Sequence, residues 1–210
     1  MDRNLVATPG IKSKNHFVLL DALRGSAALF VLVYHVFEGF ATSAQDQVCN
    51  HGYLAVDFFF MLSGFVIGYA YDDRWTGITP KQFFQRRLIR LHPMLLAGMA
   101  LGFFSFLVGG CCGWDGGHVS MWRVVLALVA GMVMIPSYSG SAYDVRGYTE
   151  MYSLNGPAWS LFFEYVGNIL YALLLRRLPT WALSVLVVSS GMGLAWVLLG
   201  HGALDYGWTL

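Results

Sequence analysis

Charge is scarce in this chain: only 12% of its 210 residues are Asp, Glu, Lys or Arg, and the formal net charge is +1. That excludes a basic groove for nucleic acid, since no Lys/Arg cluster alternates with aromatics, and nucleic acid is not an expected partner. Cysteine is equally sparse. Cys49, Cys111 and Cys112 match neither a CxxC zinc pattern nor a secreted disulfide framework, and His51, His92, His118 and His201 have no ligand-like spacing, so no metal is expected. The first residues, "MDRNLVATPGIKSKNHF", lack a short apolar core followed by a small-residue cleavage site, and no removed signal peptide is expected.

What is abundant is apolar surface. Hydrophobic residues make up 57% of the chain and aromatics 16%, too much for one soluble core of this size. The expected fold class is all-α, a polytopic transmembrane helical bundle with five to six spans. Five stretches approach the roughly 20 helical residues that cross a bilayer: Phe17 to Phe40, Tyr53 to Tyr71, Met94 to Gly110, Ala158 to Leu175 and Trp181 to Gly200. A sixth, "VVLALVAGMVMIP" from Val124 to Pro136, is short and broken by Gly131, so re-entry or an interfacial position fits it as well as a span.

The basic residues orient these spans. Arg3, Lys12 and Lys14 precede the first span, and Arg74, Lys81, Arg86, Arg87 and Arg90 lie between the second and third, whereas residues 38 to 52 carry none. Residues 1–16 are therefore expected to be a cytoplasmic segment of a multi-pass inner-membrane protein, with the 72-to-93 loop on the same side. Arg176 and Arg177 join them there only if the Val124 segment does not cross, which leaves Cys111 to Pro157 outside.

Ionisable groups inside a span cost at least about 2.5 to 3.5 kcal/mol on insertion scales, so they normally face protein or water. The first span, "LLDALRGSAALFVLVYHVF", holds three of them. Arg24 and His35 are eleven residues apart, three helical turns plus about 20°, so they share a face about 16 Å long. Asp21 and Glu38 flank the same stripe at i, i+3. Imidazole is the side chain whose ordinary pKa lies near neutrality, which suits His35 to take and return a proton, although an inert interfacial histidine fits the spacing too.

Asp57, in "GYLAVDFFFMLSGF", needs water or a partner, and His35 and Arg24 of the adjoining helix are its obvious candidates. It reads as the carboxylate that orients the imidazole or as one end of a structural ion pair. Ser63 and Gly64 read as small packing residues rather than as a nucleophile and its turn, because no base sits one turn away. Arg87 and Arg90, at i, i+3 on one helical face of "KQFFQRRLIRLHP", match an anionic ligand such as a phosphate or diphosphate, although positive-inside anchoring with lipid headgroup contact is the favoured reading of the spacing by itself. In "NGPAWSLFFEYVGNILYALLLRRL", Glu164 is the second intramembrane acid, either a structural acceptor or part of the same polar interior. Trp159 and Tyr165 suit an interfacial aromatic belt.

Taken in order, "LDALRGSAALFVLVYH", "GYLAVDFFFMLSGFVI", "FFQRRLIRLHP" and "NGPAWSLFFEYVGNILY" resemble the membrane-bound acyltransferase-3 family, O-acyltransferases of bacterial surface polysaccharides and related acceptors. The resemblance implies that His35 acts in acyl transfer with Arg24 as its partner and Asp57 as a third catalytic group. It implies that Arg87 and Arg90 help hold acyl-coenzyme A as donor substrate, with no bound cofactor; Glu164 and Trp159 occupy positions that match the family's motif acid and tryptophan and, with Ser63, are candidate cavity residues. The acceptor it implies is a hydroxylated compound, most simply a sugar outside the cytoplasm, and the acyl group most simply acetyl. Family members carry more spans than are present here, so residues 17–210 are expected to be an incomplete acyltransferase-3-like domain. Two other readings stay open: a proton-coupled transporter or channel built on the buried His, Arg, Asp and Glu, and an inactive truncated acyltransferase.

Overall fold

The structure is a computed structural model that describes residues 17–38, 40, 47–49, 51–147 and 150–201; the expected cytoplasmic segment 1–16 lies outside the described residues. Six α-helices follow one another among the described residues: α1 (Val18–Glu38), α2 (Leu54–Tyr71), α3 (Pro80–Val108), α4 (Met121–Met132), α5 (Ala158–Leu173) and α6 (Thr180–His201). Among the described residues there is no strand, only an isolated bridge between Cys112 and His118. The all-α bundle expected from composition is what forms. Five of the helices are long and apolar enough to cross a membrane, and α4 is not among them. With 12 residues, α4 rises about 18 Å against a hydrocarbon core of about 30 Å.

The chain divides into two compact units, Met1–Asp73 and Arg74–Leu210. In the first, α2 packs against α1 along the face that carries Ala27, the one buried residue of α1. Tyr34 lies on that face too. Gly52 reaches the Tyr34 side chain so closely that a Cβ there would overlap it, and Gln47 donates to the Tyr34 carbonyl at 2.9 Å. Near the other end, Phe17 meets Phe65 and Tyr69 edge-on.

In the second unit α3 is the central element, packing against both α4 and α5. It begins earlier than the apolar run suggests. Thr79 accepts from the Gln82 backbone N–H at 3.3 Å while the Gln82 side chain accepts from the Thr79 N–H at 3.0 Å, a reciprocal cap with Pro80 at the first helical position. The helix then runs through Pro93 to Val108, 29 residues in all, or about 43 Å. The stretch "KQFFQRRLIRLHP", expected to be cytoplasmic with Arg87 and Arg90 on one helical face, is thus nearly the first half of a continuous helix.

Leu95, Met99 and Phe106 of α3 form the core with Val124 and Ala127 of α4 and with Val145, Tyr152, Leu154 and Ala158 around the entry to α5. Close approach depends on small residues. A Cβ at Gly98 would meet the Asn155 amide, one at Gly102 would overlap the Leu154 carbonyl oxygen, and one at Gly131 would overlap the tip of Met99. The connection from α4 to α5 is tied in by Arg123, which donates to the carbonyls of Ala142 at 2.9 Å and Asp144 at 3.1 Å. Tyr152 adds a hydrogen bond to the Met134 carbonyl at 3.2 Å.

Candidate functional site

The polar stripe of α1 satisfies itself locally. Arg24 lies 3.8 Å from Asp21, and His35 Nδ1 lies 2.8 Å from Glu38 Oε2, each pair at i, i+3. The Glu38 contact occupies the Nδ1 side of the ring and leaves Nε2 outside the pair. Tyr34 donates to the other Glu38 oxygen at 3.4 Å, and its ring meets His35 edge-on at 5.2 Å. The end of α1 is therefore a Tyr34–His35–Glu38 cluster in which the imidazole is oriented and still 39% exposed.

Asp57 does not join it. Among the described residues this exposed carboxylate makes no hydrogen bond or ion pair. The reason is angular: Leu23, Ala27, Phe30 and Tyr34 turn toward α2, roughly a quarter turn away from the Arg24–His35 stripe. The carboxylate beside the imidazole is Glu38 of the same helix. Between the facing sides of α1 and α2 lies an open, mainly apolar hollow of about 550 Å³, lined by Leu23, Ala27, Phe30, Leu54 and Phe58 with His51 among them. Ser63 is half-buried, and Gly64 has nothing within 4 Å of its Cβ position, so the close approach to α1 falls at Gly52 instead.

In the second unit the arginines of the Arg-x-x-Arg element have different surroundings. Arg87 is buried, 3% exposed, and its Nη2 donates to Glu164 Oε1 at 2.8 Å, linking α3 to α5. Arg90, one turn on, is exposed. Glu164 is held in turn by its own helix: Asn168, 1% exposed, donates to the Glu164 carbonyl at 2.7 Å. Tyr165 and His92 add a longer contact between the same two helices at 3.4 Å. Trp159 packs at the edge of the core and meets Phe163 edge-on.

Sequence reasoning missed two features here. Arg176 stacks over Trp75 at 4.2 Å while its Nε closes the end of α5 on the Ala172 carbonyl at 2.8 Å. Phe83 and Tyr171 pack beside that tryptophan. Arg146 lies against the rings of Trp114 at 5.2 Å and Phe106 at 5.8 Å. Neither pairing has a local spacing that would announce it, because the partners are far apart in the chain.

Five membrane-length helices, ion pairs within α1 and between α3 and α5, and a basic element built into the start of α3 define a polytopic helical membrane protein. The family model described as an acyltransferase domain matches residues 17–210. The chain belongs to that family of acyl-group transferases. It is 36% identical to "Protein 2 in picA locus" of Rhizobium radiobacter over 164 residues, which cover 74% of this chain and 81% of that protein. It is 29% identical to the acyltransferase MdmB of Streptomyces mycarofaciens over 178 residues, 76% of this chain and 40% of that one. A Staphylococcus aureus (strain COL) protein named as an O-acetyltransferase is 30% identical over 167 residues, 76% of this chain and 24% of that protein. The chain thus spans less than half of the last two relatives. No solved structure matches it.

Proposed function

We propose that this protein is an O-acyltransferase of the inner membrane, with its N-terminus in the cytoplasm, moving an acyl group, most simply acetyl, from acyl-coenzyme A to a hydroxyl of a saccharide or other acceptor outside the cytoplasm. The observation that carries this reading is the family match over residues 17–210 together with an imidazole whose Nδ1 is held by Glu38 at 2.8 Å. In the proposed reaction His35 Nε2 takes the proton from the acceptor hydroxyl as its oxygen attacks the thioester carbonyl; the C–S bond breaks, and the proton passes to the departing thiolate. Glu38 keeps the imidazole in the reactive tautomer and stabilises the imidazolium.

Arg24 and His35 stand about 16 Å apart along α1. They therefore serve opposite ends of one path, Arg24 toward the cytoplasmic, donor side and His35 toward the acceptor. The basic face at the start of α3 supplies charge for the coenzyme A phosphates. Relatives named as acyltransferase and O-acetyltransferase support the reaction class.

Membranes carrying the protein, given labelled acetyl-coenzyme A and a candidate glycan, test the reading. Transfer is expected, and His35→Ala is expected to lower it by about 10²-fold or more, the usual contribution of a positioned base. Transfer undiminished in His35→Ala would remove the base. Movement of label across the membrane without transfer would favour a transporter.

A further inference from the structure

The two arginines of the Arg-x-x-Arg element are equivalent by type and spacing, but not in three dimensions. A phosphate must reach a guanidinium through open space. Arg87 offers none: it is 3% exposed, it lies between buried Phe83 and Leu91 one turn to either side, and it already donates to Glu164 at 2.8 Å. Arg90 is exposed on the same helix. Glu164 has a reason to stay where it is, since Asn168 holds its backbone and the polar contact of Tyr165 with His92 joins the same helices.

We infer that these arginines do different work: Arg90 is the one that meets the phosphates of the donor, and Arg87 is a positioning residue that, through Glu164, locks α3 against α5 and so holds Arg90 in place. The inference rests on the acyl-coenzyme A reading above. Its physical content is that an ion pair survives exchange of its ends, whereas a phosphate contact does not. A carboxylate at position 87 would repel a phosphate that Arg87 had touched.

The test compares coenzyme A affinity by calorimetry and thermal midpoint for the detergent-solubilised full chain. Arg90→Ala is expected to weaken coenzyme A roughly tenfold to a hundredfold, the loss of one charge-assisted hydrogen bond, while the midpoint holds. Arg87→Ala is expected to lower both, and the exchanged double variant Arg87→Glu/Glu164→Arg to recover both. An exchange that recovers the midpoint but not the affinity would overturn the inference, because Arg87 would then touch the donor itself.

Should the exchanged chain fail to fold, Glu164→Gln decides by sign. If Glu164 merely competed with phosphate for Arg87, neutralising it would tighten coenzyme A binding and the inference would fall; weaker binding supports it. A parent protein that binds no coenzyme A overturns the donor reading as a whole, which a loss confined to the exchanged variant does not.

Discussion

Gly102 is where α3 lies against the backbone that leads into α5, and replacing it with alanine isolates the energetics of that approach. The new methyl group would overlap the carbonyl oxygen of Leu154, which is 3% exposed and part of the core, so no flexible side chain can swing aside. Overpacking of this kind costs typically 1–3 kcal/mol, and a backbone neighbour places it near the upper end, about 3 kcal/mol. Alanine recovers up to about 1 kcal/mol of helix propensity. The net destabilisation is about 2 kcal/mol, which for a chain of this size lowers the melting temperature by roughly 4–8 °C.

Two neighbouring glycines calibrate the number. At Gly98 the clash is with the Asn155 side-chain amide, which can rotate, and Gly98→Ala should stay within about 1 kcal/mol of the parent. At Gly167 nothing lies within 4 Å, so Gly167→Ala should keep the propensity gain and melt slightly higher. Thermal unfolding of the full chain in detergent, followed by tryptophan fluorescence, reads all three. A Gly102→Ala protein that melts at or above the parent, or above Gly167→Ala, would refute the packing argument.

Two more outcomes follow from the geometry. Burial pushes the Tyr152 phenol up from 10.0 to about 12; a folded value above the unfolded one means the contribution to stability is complete below pH 10 and is lost as the pH rises toward 12. Melting temperatures measured from pH 8 to 12 should therefore fall more steeply for the parent than for Tyr152→Phe, by an amount equivalent to roughly 1–3 kcal/mol, and parallel curves would deny that Tyr152 titrates late. Glu38→Gln, which removes the acceptor that holds His35 Nδ1–H, should slow acetyl transfer about tenfold or more at an unchanged protein level. A normal rate would show that another group orients the imidazole.

The boundaries of α1, α2, α5 and α6 follow the apolar runs closely, and the i, i+3 pairs Asp21–Arg24 and His35–Glu38 follow from helical spacing alone. The early start of α3 was also written locally, in the Thr79-Pro80-Lys81-Gln82 cap, but the apolar run by itself begins only at Met94. Gly98 and Gly102, four residues apart, spell a small-residue groove that periodicity does not separate from ordinary apolar filler. The expected meeting of Asp57 with His35 did not occur. Proximity in the membrane had been inferred from helix order, whereas contact depends on the angle each residue takes around its axis.

Composition and hydropathy alone pointed to a helical membrane bundle, because backbone groups in lipid must be hydrogen-bonded, as in helices or closed barrels, and apolar runs of about 20 residues fit helices. Motif order alone pointed to acyl transfer, and spacing alone placed Arg24 and His35 on one stripe. Only the packed structure decided that α2 turns aside from that stripe, that Glu38 rather than Asp57 attends the imidazole, and that Arg87 is sealed against Glu164 while Arg90 stays open. The last of these depends on residues 77 positions apart meeting across helices. No local pattern encodes such a meeting, because it is set by the packing of whole helices against one another.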